Sequence, residues 1–158
     1  MIDTPSSRLA QRLAVGIPAL LIGGALISQF GFGLYPCEMC MWQRYPHYAA
    51  IGLGLVSYVI GPPRLWVAFA ALAILASGLI GGFHAGVEYG WWQGITDCAT
   101  TARAEGVSAI DAISAAPMIR CDRAPWDLLG ISLAGWNCLI SVTGAIAILH
   151  LLAKRKPR

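Results

Sequence analysis

Two thiols stand three residues apart in the stretch Tyr35-Pro36-Cys37-Glu38-Met39-Cys40-Met41-Trp42-Gln43-Arg44. A disulfide between Cys37 and Cys40 closes almost no loop, so it adds little as a staple. Such a short pair suits thiol–disulfide exchange, in which one of the two thiols often has a depressed pKa. Pro36 is expected to open a helical turn, since its missing N–H has no partner to lose there. Cys37 and Cys40 then share one face. Arg44 follows Cys40 by one helical turn. A fixed positive charge and a helix N-terminus both favour thiolate over thiol. The plainer reading of Arg44 is an anchor at a membrane surface, and the functional one is preferred.

The chain has five cysteines. Cys98 and Cys121 lie in a hydrophilic segment and Cys138 lies in an apolar run, where packing is its expected role. Four thiols outside the apolar runs allow three pairings in an oxidising compartment. Cys37 with Cys40 and Cys98 with Cys121 is favoured, because the first pair is nearly adjacent. The second loop encloses 22 residues, and closing it is worth about 3 kcal/mol in the chain-entropy model. Stapling and exchange are equally open for that pair. A zinc site built on the four cysteines, in a membrane protein without catalysis, is the alternative. It fits less well, because Cys98 and Cys121 form no close couple, and no metal is expected. A haem held by His47 and His84 rests on one residue pair alone.

Something must position these thiols, and composition says what. The 158 residues are 57% hydrophobic and 12% charged, against about 25% charged in soluble domains. Mean hydropathy is +0.64. Four runs carry no charge: 13–37, 45–63, 65–87 and 128–153. Each is close to or beyond the roughly 20 residues of helix that cross a hydrocarbon core. The prediction is an all-α membrane protein, a single domain over 1–158, with spans at about 13–30, 45–61, 65–86 and 130–152. A β-barrel needs short alternating segments, which are missing. The first run lacks a small-residue cleavage site and is read as a retained helix, not a signal peptide.

Charge placement orients this four-helix bundle. Arg8, Arg12, Arg64, Lys154, Arg155, Lys156 and Arg158 flank one side, while seven of the eight acids lie on the other. The positive-inside rule puts both termini and the Gly61–Arg64 turn in the cytoplasm. The two loops, about 31–44 and 88–128, then face outward and carry Cys37, Cys40, Cys98 and Cys121. Membrane lipid is the expected surrounding, with no nucleic-acid partner. Pro46 is expected to break the motif from the second span, leaving a short turn joined through a kink. Gly78, Gly82 and Gly86 recur every four residues, a spacing that permits close helix approach. Trp91, Trp92 and Trp126 bracket the long loop as interface anchors. Val107, Ile110 and Ile113 fall on one side of a short helix, lying on the membrane surface or packed as an ordinary loop helix.

A dithiol that is oxidised must pass its electrons on. No dinucleotide-binding glycine pattern is present, so a lipid-soluble acceptor is the economical inference. A quinone needs an apolar slot with polar groups for its oxygens. Arg44, Gln43, His47 and Trp42 are the candidates.

These residues resemble the bacterial disulfide bond formation protein B family. The resemblance rests on Pro36-Cys-x-x-Cys-x-Trp-Gln-Arg44, on Cys98 and Cys121, on Cys121-Asp-Arg-Ala-Pro-Trp-Asp-Leu-Leu-Gly130, and on Ala134-Gly-Trp-Asn137. It spans all four runs and both loops. It implies a membrane thiol–quinone oxidoreductase, with ubiquinone or menaquinone as acceptor. It also implies a periplasmic thioredoxin-fold (DsbA-like) thiol oxidase as partner and the bacterial inner membrane as location. By this resemblance Cys98 forms the mixed disulfide with the partner. Cys121 resolves it and exchanges with Cys37, and Cys40 faces the quinone beside Arg44. Some members carry a histidine near the outer end of the third span. Here that stretch reads Val87-Glu88-Tyr89, and His84 lies deeper. A vitamin K epoxide reductase-like enzyme shares this logic, but its helix order fits less well.

Overall fold

The structure is a computed structural model, and it describes residues 4–96, 99–100 and 118–154. Four helices carry it: α1 (Pro5–Phe32), α2 (Glu38–Val59), α3 (Pro63–Glu88) and α4 (Leu133–Ala153). Two small antiparallel pairs join the last two helices. They are β1 (Ala99–Thr100) with β2 (Met118–Ile119), and β3 (Asp127–Leu128) with β4 (Ile131–Ser132). Helices α1, α3 and α4 are long and apolar enough to cross a membrane. Helix α2 is more polar, with Glu38, Gln43, Arg44 and His47 in its first half.

The helix ends follow capping chemistry. Thr4 caps α1 in a reciprocal box with Ser7, and Pro5 takes the first helical position. The helix therefore starts well before the uncharged run, with Arg8 and Arg12 in its opening turns. It stops at Gly33, whose φ of 69° is the left-handed conformation that a glycine cap supplies. Ser132 caps α4, accepting from the Gly135 N–H at 3.1 Å. The predicted last span began at about 130, but the β3–β4 hairpin occupies its first residues.

Helix α2 corrects the expectation at Pro46: it runs unbroken through that residue. Pro46 has no N–H to give the Trp42 carbonyl one turn earlier. The neighbouring helix contacts the same turn, with Ser77 Oγ of α3 donating to the adjacent Gln43 carbonyl at 2.8 Å.

Helix α3 is the central element, packed against both α2 and α4. The core at one end is rich in alanine, with Ala10, Ala14, Ala50, Ala70, Ala71 and Ala145 around Val67, Ile74, Ile148 and Leu152. A Cβ on Gly78 would lie 2.9 Å from Ser141 and 3.1 Å from the Val142 nitrogen. One on Gly82 would meet Cys138 Sγ at 3.0 Å. These two glycines form the predicted close face against α4, and Cys138 packs on it. Gly86 serves another partner: the Trp92 ring lies over it. Trp92 also donates to the Phe83 carbonyl at 2.9 Å and stacks on the Phe83 ring. Tyr89 ties the end of α3 to the hairpin, its hydroxyl accepting from the Ser132 N–H at 2.9 Å.

Candidate active site

The Cys37–Cys40 pair sits at the start of α2, and the helix opens two residues later than expected. Cys37, not Pro36, ends the non-helical chain and acts as the N-cap, so the helix begins at Glu38. Its Sγ accepts from the Cys40 N–H at 3.3 Å. This is the spacing of a capping box, with sulfur in place of oxygen. It brings the two sulfurs to 2.9 Å. Cys37 donates to Cys40, which holds the Cys40 thiol below the usual thiol range, and the Arg44 guanidinium adds to this. The same bond, with burial, pushes Cys37 far up.

His84 reaches this pair. Its Nε2 lies 3.6 Å from Cys37 Sγ and 3.7 Å from Glu88 Oε1. The Cys121 sulfur joins them, and the Cys37, His84 and Cys121 donor atoms all lie within 4.8 Å of one another. So the histidine that the sequence set too deep is in contact with the thiols. The entry of α2 dips toward α3 and meets it one turn below Glu88.

A buried polar chain extends inward from His84. Gln43 Nε2 donates to the Met39 carbonyl at 3.2 Å and approaches His84 Nδ1 at 2.9 Å. Asn137 Nδ2 donates to Gln43 Oε1 at 2.8 Å and to the Ser77 carbonyl at 3.2 Å. Asn137 Oδ1 accepts from Ser141 Oγ and faces His47 Nε2, each at 2.9 Å. His47 Nδ1 is buried with no partner among the described residues. Gln43 thus has both ends of its amide engaged, linking the thiols to the interior.

Two cavities meet at the pair. One, of about 300 Å³, is bordered by Cys37, Cys40, His84, Glu88, Arg120 and Arg123. The other, about 320 Å³, is an apolar groove between α1, α2 and α4, walled by residues such as Leu21, Ala25, Leu133 and Trp136. Its polar border is Gln43, Arg44, His47 and Asn137, and Cys40 borders both cavities. Arg44 is held across the groove mouth, donating to Gln29 Oε1 at 2.6 Å and to the Ala25 carbonyl at 3.3 Å. Trp42 packs instead on the Cys37–Met39–Val87 cluster.

Of the predicted residues, Cys37, Cys40, Cys121, Gln43, Arg44 and His47 come together here. Cys98 and the Val107–Ile113 helix lie outside the described residues. Gln29, Ser77 and Asn137 were not assigned roles from sequence. Their signal was a polar side chain inside an otherwise apolar run.

The family described as disulfide bond formation protein DsbB matches residues 7–151. A disulfide bond formation protein B from Azoarcus sp. (strain BH72) is 32% identical over 169 residues, covering all of both chains. One from Verminephrobacter eiseniae is 30% identical, covering 97% of this chain and 89% of its own. One from Aromatoleum aromaticum is 29% identical over 86% of each chain. No solved structure matches. A paired dithiol at a helix cap, a third thiol within reach and a family match over nearly the whole chain lead to one conclusion: this chain belongs to the DsbB family of multi-pass membrane proteins that act in disulfide bond formation.

Proposed function

We propose that the chain is a thiol–quinone oxidoreductase that reoxidises a periplasmic thioredoxin-fold thiol oxidase. The carrying observation is the position of Cys40, which borders both the thiol cavity and the apolar groove. Cys37 borders only the thiol cavity, with Cys121 close by. Two thiols of one pair therefore face two different reaction partners.

The donor's dithiol reduces the Cys98–Cys121 disulfide through a mixed disulfide on Cys98. The Cys121 thiolate then attacks Cys37 of the Cys37–Cys40 disulfide and releases Cys40 as thiolate. Cys98 next attacks Cys121, which restores the outer disulfide and leaves Cys37 and Cys40 reduced. Two electrons have moved from donor to inner pair, and every sulfur bond broken is matched by one formed.

The groove fits a quinone by its chemistry. Its walls are apolar, and its polar border includes Arg44, Asn137 and His47, whose Nδ1 has no partner among the described residues. Arg44 and His47 are the groups that would hold the quinone oxygens. A bound quinone supplies a two-electron, two-proton acceptor. Arg44 meanwhile favours charge on Cys40, one helical turn away.

The proposed setting is the bacterial inner membrane, with one membrane domain and α2 as a fourth span. Arg8 and Arg12 at the start of α1, Arg64 at the start of α3 and Lys154 at the end of α4 support a cytoplasmic face for that end. Arg64 donates to the Leu152 carbonyl there. The thiols then face the periplasm.

The test is quinone reduction by purified Cys40→Ser protein with a reduced thioredoxin-fold donor. Turnover should fall to background. Turnover near the wild-type rate would overturn the route.

A further inference from the structure

The Cys37–His84–Cys121 cluster has the spacing of a metal site. Tetrahedral zinc with sulfur and imidazole ligands separates its donor atoms by about 3.5–3.8 Å, and Cys37 Sγ lies 3.6 Å from His84 Nε2. Hydrogen bonding decides against that use. A carbonyl oxygen only accepts, so the Gln43 atom facing the Met39 carbonyl is the amide nitrogen. The same nitrogen faces His84 Nδ1 at 2.9 Å, which makes Nδ1 the acceptor. Asn137 fixes the other end of the amide by donating to Gln43 Oε1, and its own orientation is set by the Ser77 carbonyl. With Nδ1 accepting, the proton of neutral His84 is on Nε2. That nitrogen faces Cys37 Sγ and Glu88 Oε1, both able to accept, and the Cys121 backbone also hydrogen-bonds the ring. A zinc-ligating histidine needs the reverse arrangement, with a bare Nε2 and an acceptor for Nδ1–H.

We propose that Gln43 is a positioning residue that locks His84 in the Nε2–H tautomer. The cluster then serves as a hydrogen-bond donor to the departing Cys37 thiolate and is closed to metal. In the exchange proposed above, Cys98 attacks Cys121 of the Cys37–Cys121 disulfide, and Cys37 leaves with the electron pair of that bond. His84 Nε2–H donates to the developing charge, and no proton needs to leave the imidazole. Only this kinetic consequence rests on the proposed route; the tautomer and the metal response do not.

The test uses full-length reduced protein in detergent micelles. Nitrogen-15 NMR of labelled histidine, assigned with His84→Ala, should show the Nε2–H tautomer for His84 in the wild type. Gln43→Glu offers a carboxylate to Nδ1, so the tautomer should invert and free Nε2 as a ligand. Zinc, titrated against a chromophoric chelator, should then bind Gln43→Glu at least about tenfold more tightly than wild type. Adding Cys121→Ser to Gln43→Glu should remove that gain. The rate at which Cys37 is released from the Cys37–Cys121 disulfide should fall about 10- to 100-fold in Gln43→Glu, the scale of a hydrogen bond to a charged group. An Nδ1–H signal in the wild type would overturn the proposal, whatever the variants do. So would equal zinc affinity in wild type and a folded Gln43→Glu. A lost route with an intact Nε2–H signal would count against the exchange scheme, not against the lock.

Discussion

Helices α2, α3 and α4 meet twice, in two different materials. Toward the Arg64 end the contact is alanine, glycine and isoleucine: Ala50, Ala70, Ala71, Ile74 and Ala145, with Gly78 closing on α4. Toward Cys37 the same helices meet through Gln43, His47, Ser77, His84 and Asn137, all hydrogen-bonded to one another or to backbone. The first contact depends on shape, and any residue of the right size would serve. The second depends on every partner being present, because a buried polar group costs most when its partner is lost. The packed end therefore sets how well the bundle holds. The polar end sets what the thiols do.

Asn137→Leu is the largest single challenge to the polar end. It leaves Gln43 Oε1 and Ser141 Oγ without their partner at once, and His47 Nε2 with Ser77 Oγ alone. At about 1–3 kcal/mol for each orphaned group, loss of several kcal/mol is expected, read as a lowered midpoint of unfolding in detergent. An unchanged midpoint would mean that the polar end is not the interdependent network described. Gly78→Val challenges the packed end. Its side chain would press on Ser141, Val142 and the α4 backbone, at a cost of about 1–3 kcal/mol. Activity per folded molecule should hold, and a fall in that ratio would show that the two ends are not separate. Arg44→Ala is milder for the fold and sharper for function. The KM for quinone should rise about tenfold or more through loss of charge-assisted hydrogen bonding, while the mixed disulfide between donor and Cys98 still forms.

The packed end was legible in the sequence. The uncharged runs located the helices, and the four-residue glycine repeat found the α3–α4 face at Gly78 and Gly82. Gly86 was read onto the same face, but a tryptophan six residues later took its place. That is a loop contact, which helical spacing does not encode. The polar end was legible only in part. Cys37, Cys40, Arg44 and Gln43 are four successive marks on one helix start, so local spacing found them. His84, Asn137 and Gln29 come from three other helices. Single polar residues in apolar runs do not announce which neighbours they face. Pro46 was misread for a related reason: a local rule breaks the helix, and it does not register the α3 hydroxyl that contacts the same turn.

The difference between the two thiols is the finest test of the polar end. Cys40 is held below the usual thiol range by the Cys37 hydrogen bond, and Cys37 is pushed above it by the same bond. The signs are opposite. A depressed thiol is already ionised in the fold while the unfolded chain keeps its proton. Its contribution to stability is complete above the usual thiol range and is lost as pH falls through the folded value. A raised thiol is the reverse: its contribution is complete below the usual range and is lost as pH rises beyond it. Between the depressed Cys40 value and the usual range, Cys40 should react with iodoacetamide while Cys37 does not, since the thiolate is the nucleophile. Alkylation mapped by mass spectrometry on reduced protein should therefore mark Cys40 well before Cys37 as pH rises. Arg44→Ala should move the Cys40 curve to higher pH and leave the order unchanged. Should Cys37 be marked first, the proton would sit on the other sulfur, and the groove-facing thiol would not be the charged one.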